Sequence, residues 1–469
     1  MKGIIVGIDE RPDKRHSSYY LLCIEGKGCS LMQLRSNFVL DAGSLVDAQI
    51  QNGVITNVEV EDTSAYPGYS GLIDAFVKIA VKKAIKDCGN EKLDAITNSM
   101  GKKIREAARV IAKKVMCAAP VFVRFHNDAD GASGAYSLYK AIGSFSAKIG
   151  FSDNSKIKWK MHRSVAYSRE DALEDLSALL GAVSVEKPLL VIIDFGTTEE
   201  SNEGYEMIKD AADVIWLEHH PPRGSLKFAH MQHYINPWNF GGDSNYTAGY
   251  LTCELSRYIA EIDNDCEKEA SLFGDHSIYA KGQGCGKDLA TLLDLLTSDK
   301  SIAFASYESG LTPIDIHKIV SDKGKANELV EYANARMEEM IRHAMNIVRK
   351  RMIGESYVYV LDFSALREGS SNKFPLPGRF STRMSDYIDG LGESGNILIL
   401  TFSRYISIRI GERLRGRIDL NEVIDKVAKL SDRIESGGGH MSAGSIKIKE
   451  DSDRNAIIGE IIGVIRDMI

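Results

Sequence analysis

The sequence predicts an α/β protein. A domain on a parallel sheet is joined by a helical connector to a smaller α/β domain, and a small OB-like β-barrel precedes both. Three observations predict this. Apolar runs rich in β-branched and aromatic residues, AAPVFVRF (118–125), LLVIID (189–194) and ADVIWLE (212–218), are separated by helical segments, as expected of strands buried on both faces of a parallel sheet. From about 310 to 351, apolar residues recur at three- and four-residue spacing. Near the start, Asn52-Gly53 stands between two alternating segments, SLVDAQIQ and VITNVEV, a strong hairpin signal.

In chain order, residues 1–62 read as the small barrel, with GIIVGID and YYLLCIEG as further strands. Residues 63–117 are helical: LIDAFVKIAVKKAIKD and MGKKIREAARVIAKKVM have a core-facing apolar stripe, their lysines being solvated. Residues 118–305 form the parallel-sheet domain, and 306–352 the helical connector. Residues 353–469 form the second α/β domain, with YVYVLDF, NILILTF and YISIRIG as strands and EIIGVIRDMI as the last helix.

At 44% hydrophobic and 26% charged, the composition is that of a globular protein, and no apolar run approaches the roughly 18 residues of a membrane span. The N-terminal MKGIIVGIDERPDKRH has too short an apolar stretch for a signal peptide, which points to the cytoplasm. The seven cysteines form no C-x-x-C pair; this disfavours structural zinc and fits reduced thiols. A net charge of −7 excludes a surface basic throughout, though not a local basic groove.

The predicted strands of the first domain end in metal-ligand residue types: His126-Asn127-Asp128-Ala129-Asp130-Gly131, then Asp194-Phe195-Gly196, then Glu218-His219-His220. Ligands of open parallel sheets bind beyond the carboxyl ends of the strands, so these three ends can meet in one crevice. Carboxylates mixed with imidazoles suit Mn²⁺, or Mg²⁺ where oxygen dominates. Each piece alone reads more readily as a turn or a strand cap; their joint placement is what points to chemistry. Gly131 and Gly134 fit a helix start approaching an anion. The run Gly437-Gly438-Gly439-His440 offers backbone amides and an imidazole to a phosphate. Upstream, RYISIRIGERLRGR holds Arg404, Arg409, Arg413, Arg415 and Arg417 against one acid, with Phe402 and Tyr405 interleaved, which reads as a backbone-tracking and base-stacking surface. KGQGCGKD lacks the spacing of a phosphate loop and reads as a flexible loop.

HNDADG, the lone Asp194 closing an apolar strand, His219-His220, Asp275 in ASLFGDHS and the GGGHMSAG segment at 437–444 resemble, in order, the motifs of the DHH phosphoesterase superfamily and its DHHA1 domain. Among its branches the chain most resembles the archaeal RecJ-like exonucleases, which include GINS-associated nucleases. The resemblance covers about 118–285 and 355–450. It implies a metal-dependent exonuclease for single-stranded nucleic acid, DNA cut 5′-to-3′ in replication or repair, with two Mn²⁺ or Mg²⁺ ions per site. His126, Asp128, Asp130, Asp194, His219 and Asp275 would hold metal, Asp194 as the bridge. Asp130, Asp194 and His220 would be catalytic, His220 touching the scissile phosphate. Glu218 and Asn236 would support them, with Thr247-Ala248-Gly249 as a neighbouring loop. Arg409, Gly437, Gly438, Gly439 and His440 would bind substrate. The partners implied are single-stranded DNA or RNA and a GINS-type replisome component, with no membrane. Glu218 departs from the family's Asp but keeps its charge. The alternatives are a phosphodiesterase for short oligonucleotides or cyclic dinucleotides, and a replisome scaffold with little activity.

Overall fold

The computed structural model describes residues 1–9, 17–25, 28–81, 90–151, 155–179, 183–298, 310–367, 374–392, 395–450 and 453–469. The chain divides into two compact units, Met1–Leu293 with Ala303–Asp322, and Asp294–Ile302 with Lys323–Ile469.

The first unit opens with β1 (Lys2–Asp9), β2 (Ser17–Glu25), β3 (Gly28–Ser36), β4 (Leu45–Gln51) and β5 (Val54–Asp62), closed in the order β1-β2-β3-β5-β4-β1. Alternation sets the faces. Ile5, Tyr19, Leu21, Leu34, Val46 and Ile55 fill the inside. The β4–β5 turn has φ of +51° at Asn52 and +74° at Gly53, the left-handed pair that a two-residue hairpin needs. The outer face of β1–β3 is buried too, through Ile4, Val6, Tyr20, Leu22 and Leu31. Tyr20 meets Phe151 edge-on, the Leu31 amide donates to the Ile149 carbonyl, and Val183–Ser184 pair with β1. The barrel is thus built into the unit.

Two helices follow, α1 (Tyr66–Ala80) and α2 (Glu91–Met116), the second capped by the Asn90 side chain on the Lys92 and Leu93 amides. The residues expected to continue α1 to 87 lie outside the described ones. The lysines of α2 are not merely solvated: Lys114 is buried between Glu186 (2.8 Å) and Asp213 (2.7 Å), because it lies on the same face as Ile111 and Val115.

The central elements are β6 (Val121–His126), α3 (Ala129–Lys148), β7 (Ile157–His162), α4 (Arg169–Leu179), β8 (Val183–Ser184), β9 (Leu189–Ile193), α5 (Ser201–Ile208), β10 (Asp213–Leu217), β11 (Tyr234–Ile235), α6 (Ala248–Ile259), α7 (Asp265–Gly274), α8 (Gly284–Ser298) and α9 (Pro313–Ser321). Five strands form a sheet in the order β11-β10-β9-β6-β7, every pairing parallel. Phe122, Leu190, Ile192, Val214 and Trp216 pack on one face against Ala172 and Leu179 of α4 and Ile208 of α5. Helices α3 and α6 lie on the strands' other side. The chain leaves β6 for β7 on one flank and returns to β9 on the other, so the topological switch lies between the ends of β6 and β9.

Two sequence readings are corrected here. Cys266 and Cys285 form a disulfide, with Cα atoms 5.5 Å apart. Gly286 explains the approach: a Cβ there would lie 2.3 Å from Glu269, so the start of α8 rests directly on α7 and brings Cys285 to Cys266. For the same reason the end of KGQGCGKD is the first turn of α8 and not a loop.

The second unit contains α10 (Lys323–Ile347), β12 (Arg349–Ile353), β13 (Ser356–Asp362), α11 (Pro377–Gly390), β14 (Asn396–Phe402), β15 (Tyr405–Ile410), α12 (Leu420–Leu430), β16 (Ile434–His440), β17 (Ala443–Ile448) and α13 (Arg454–Arg466). Its sheet, β12-β13-β14-β15-β17-β16, is mixed, with β13–β14 parallel. Val358, Ile397, Ile399, Ile406 and Ile408 face α12 and α13, while Tyr359, Leu398 and Leu400 face α10 and α11. The stretch expected as one connector breaks at Asp322 into α9 and α10, and its basic end, from Arg349, is strand β12.

Replacing Cys266 with Ser removes a cross-link spanning 19 residues and is expected to lower stability by about 3 kcal/mol. Denaturant midpoints under non-reducing conditions, or wild type with and without reductant, measure it; coincident curves would contradict the expectation.

Candidate metal centre

β6 runs VFVRFH, and its lone charge needs partners because both faces are covered. Arg124 donates to Asp175 (2.8 Å), Asp171 (2.9 Å) and Glu174 (3.0 Å), all on α4. This buried fork ties α4 to β6 two residues before His126. Beyond the strand end, Asp128 divides its carboxylate. Oδ1 caps α3 by accepting the Gly131 amide (3.0 Å), and Oδ2 accepts from His126 Nδ1 (2.8 Å). The glycines of this turn allow close packing. A Cβ on Gly131 would stand 2.6 Å from the His126 backbone, and one on Gly134 2.9 Å from Gly249 Cα.

Asp130 is fully buried. Its oxygens accept the amides of Ala248 (2.9 Å) and Gly249 (2.8 Å), at the positive end of α6, and the Ser271 hydroxyl. The sequence points to the 247–249 loop; Ser271, 141 residues from Asp130, gives no local signal.

β9 delivers Asp194 in the left-handed region, φ +70°. Its turn is pinned on every side. The Asp194 amide donates to the Leu217 carbonyl, the Gly196 amide to Val165, and Trp216 Nε1 to the Phe195 carbonyl (2.7 Å). The Trp216 ring lies against Gly196, φ +104°, where a Cβ would meet it at 2.4 Å. Asp194 is buried, yet neither of its oxygens has a hydrogen bond of proper geometry. Two imidazoles approach them, His126 Nδ1 at 3.5 Å and His219 Nε2 at 3.3 Å.

β10 delivers Glu218, His219 and His220. Glu218 is committed to orientation: Oε1 accepts from Thr197 (2.7 Å), and Oε2 accepts the His219 amide (2.6 Å), the His220 amide (2.9 Å) and His220 Nδ1 (2.9 Å). His220 Nδ1 is thus committed to Glu218, on a side chain that is 38% exposed. His219 donates from Nδ1 to the Ser244 carbonyl (2.7 Å). Its Nε2 therefore faces Asp275 (3.2 Å), Asp194 (3.3 Å) and Asp130 (3.7 Å). Asp275 stands at the C-terminal end of α7. Asn236 ties the next loop on, donating to the His220 carbonyl (3.0 Å) and Tyr234 (3.0 Å) and accepting the Trp238 amide (3.0 Å).

The centre brings together His126, Asp128, Asp130, Asp194, His219, His220 and Asp275. Three groups have ligand-type atoms within 4.8 Å of one another: His126, Asp128 and Asp194; Asp194, His219 and His220; Asp130, His219 and Asp275. Electrostatics show the crowding. Burial, with Asp194 and Asp275, pushes Asp130 well up; burial and Asp128 push Asp194 up. Burial pulls His219 down, but Asp194, Asp275 and Asp130 outweigh it and hold the ring well above the imidazole range. Burial opposes ionisation of Glu218 also, but His220 and His219 bring it down to about 2. Four close carboxylates, one of them buried without a hydrogen bond, fit a divalent cation with oxygen and imidazole donors.

The other residues with expected roles belong to the second unit. Arg409 faces Ala443 across β15–β17, and Ala443 faces His440 across β17–β16, so Arg409 and His440 flank one small residue on one sheet face. Packing accounts for part of the glycine run. Gly437 and Gly444 lie under Ile424, where a Cβ would stand 2.7 and 2.9 Å away, and Gly439 takes φ +154°. The arginines do not form one stripe. Arg404, at one end of β15, pairs with Glu435, whereas Arg409 and Arg415 act with Arg383 on Asp386.

No family model matches the chain. A solved DHH-domain protein, described as a member of a family of ribosomal proteins, has a TM-score of 0.69 at 22% identity, over 86% of this chain and 99% of that one. RecJ from Thermus thermophilus, in complex with Mn²⁺, has a TM-score of 0.47 at 16% identity, over 78% and 55%. An uncharacterized protein of Methanocaldococcus jannaschii is 25% identical over 414 residues, 78% of this chain and 54% of that protein, so the chain spans about half the length of that relative. The fold is that of the DHH-domain proteins. Among the described residues, no helix is long and apolar enough to cross a membrane.

Glu218→Ala frees His220 and two amides at once and is expected to lower metal affinity about 10- to 100-fold, with Glu218→Asp restoring most of it. Mn²⁺ titration of the three proteins measures this; an Ala variant binding like wild type would contradict it.

Proposed function

We propose that this chain, with its DHH-domain fold, is a metal-dependent phosphodiesterase acting as an exonuclease on single-stranded nucleic acid, DNA cut 5′-to-3′ in replication or repair. The observation that carries the reading is Asp194: a buried carboxylate without a hydrogen bond, common to two of the three donor groups at the switch point of the sheet.

His126, Asp128 and Asp194 would hold one Mn²⁺ or Mg²⁺ ion, and Asp130, His219 and Asp275 a second; Asp194, 3.3 Å from His219, would be shared between them. When bound, such ions supply Lewis-acid polarisation of the phosphate and an acidified water. The chain's own residues do the rest. Glu218 fixes the His220 ring through Nδ1, and Nε2 would donate to a phosphate oxygen as charge builds there. Asp130, held by the α6 amides, keeps its place while its neighbours exchange partners. In the second unit, Arg409, which donates to Thr382 and to the Ile408 and Gly378 carbonyls, and His440, on the other side of Ala443, would with Gly437, Gly438 and Gly439 form a phosphate-binding face. A GINS-type partner, implied by the sequence resemblance, belongs to the proposal and is tested by copurification.

A second reading, a phosphodiesterase for short oligonucleotides, is favoured by the broken arginine stripe, since Arg404 is committed to Glu435. A substrate length series separates the two: a rate rising with strand length supports the exonuclease.

The test uses single strands of DNA and RNA labelled at either end, incubated with Mn²⁺ and wild type, Asp128→Ala, Asp130→Ala or Asp194→Ala. Wild type should release mononucleotides from one end, fixing polarity and sugar preference, and the folded variants should be at least about 100-fold slower, more than a single positioning contact supplies. Equal rates in wild type and Asp194→Ala would contradict the assignment.

A further inference from the structure

Trp238 is oriented opposite to most tryptophans. A half-buried indole commonly sinks its ring and keeps the N–H at the wet edge. Here Nε1 is turned inward, donating to the His219 carbonyl (3.0 Å) and close to Ser244 Oγ (3.3 Å), while the residue is 43% exposed. The attachment is rigid. The Trp238 amide is bound by Asn236 Oδ1 (3.0 Å), Asn236 Nδ2 holds the His220 carbonyl (3.0 Å), and Ser244 Oγ donates to the His219 carbonyl (2.9 Å). Pro237 opens the single turn that carries the ring, and Gly241 closes it in the left-handed region, φ +75°. Among the described residues the ring makes no aromatic contact that would account for its exposure. A flat apolar face is therefore fixed against the backbone of the histidine pair, on the rim where His220 also emerges. Trp159 and Trp216 are buried.

From this geometry, and resting on the phosphodiesterase reading above, we propose that Trp238 is a stacking platform for the nucleobase next to the phosphate that is cut. A phosphate at His220 leaves its neighbouring base within reach of that rim, and a ring stacks on any base, giving position without sequence preference. Because the indole N–H is already used, the residue offers its face and not a polar edge. It is a binding and positioning residue: it aligns the strand, and it supplies no proton or charge.

The test compares wild type, Trp238→Ala and Trp238→Phe in the full chain with Mn²⁺. Substrates are an intact single strand and strands made abasic at the first or second nucleotide of the end that is cut. Stacking predicts a KM increase of about 5- to 100-fold for Trp238→Ala on the intact strand, with kcat nearly kept, and a near-normal Trp238→Phe. One abasic position should weaken wild type equally and make the substitution silent. A Trp238→Ala effect of the same size on intact and both abasic strands would overturn the proposal, because the residue would then act through the loop. A second measurement needs no turnover. Without metal, an intact strand should quench the tryptophan emission of wild type, and neither an abasic strand nor the Trp238→Phe protein should show that change; quenching that persists in Trp238→Phe overturns the proposal. Should wild type neither bind nor cut any strand, the phosphodiesterase reading itself falls. Cutting with an indifferent Trp238 removes this inference alone.

Discussion

The first unit is organised around one buried carboxylate. Asp194 lies at the switch point of a parallel sheet, stripped of water, with no hydrogen bond to either oxygen and with Asp128, Asp130 and Asp275 close by. Its backbone is left-handed, a conformation costing an L-residue about 1–2 kcal/mol. The charge is offset only in part within the described residues, by His126 and His219. Imidazoles approach at 3.3 and 3.5 Å without bonding properly. A centre of this kind is poised for cations, since a divalent ion removes the mutual repulsion and the missing bonds together.

Much of the surrounding structure can be read as what keeps Asp194 there. Trp216 and Gly196 wedge its turn, and Leu217 and Val165 hold its amides. Glu218 spans two strand ends through Thr197 and His220, and Arg124 braces β6 from below through α4. The α6 amides fix Asp130 so that a fourth element, remote in sequence, reaches the same point. Rigid strand ends under short loops suit catalytic electrostatics, where donors must already be in place as charge develops.

How much of this was legible in the sequence follows from the physics of each signal. The apolar runs at 118–125, 189–194 and 212–218 form strands β6, β9 and β10 because two-sided burial leaves a local imprint on composition. Asn52-Gly53 showed the barrel hairpin because few residues adopt two left-handed φ values in succession. The residues at the strand ends were visible because they interrupt those runs. Features set by long-range packing were not visible. The Cys266–Cys285 bond depends on Gly286 letting α8 lie on α7. The glycines at 437–444 resemble a phosphate cradle, and nothing in the sequence signals that Gly437 and Gly444 also make room for a single isoleucine of α12. The five arginines looked continuous along the sequence, but a strand separates its two ends. Trp238, one aromatic residue in a loop, has no periodicity to announce it.

The claim that Asp194 joins two cation-binding groups is tested most directly by calorimetric Mn²⁺ titration of metal-free wild type and Asp194→Ala, with thermal midpoints recorded alongside. The account predicts two ions per wild-type chain and a stabilisation of about 2.7 kcal/mol when free Mn²⁺ is a hundredfold above its dissociation constant. It predicts that the folded variant loses both the second ion and most of that stabilisation. A variant that binds the same number of ions with the same affinity as wild type would contradict it.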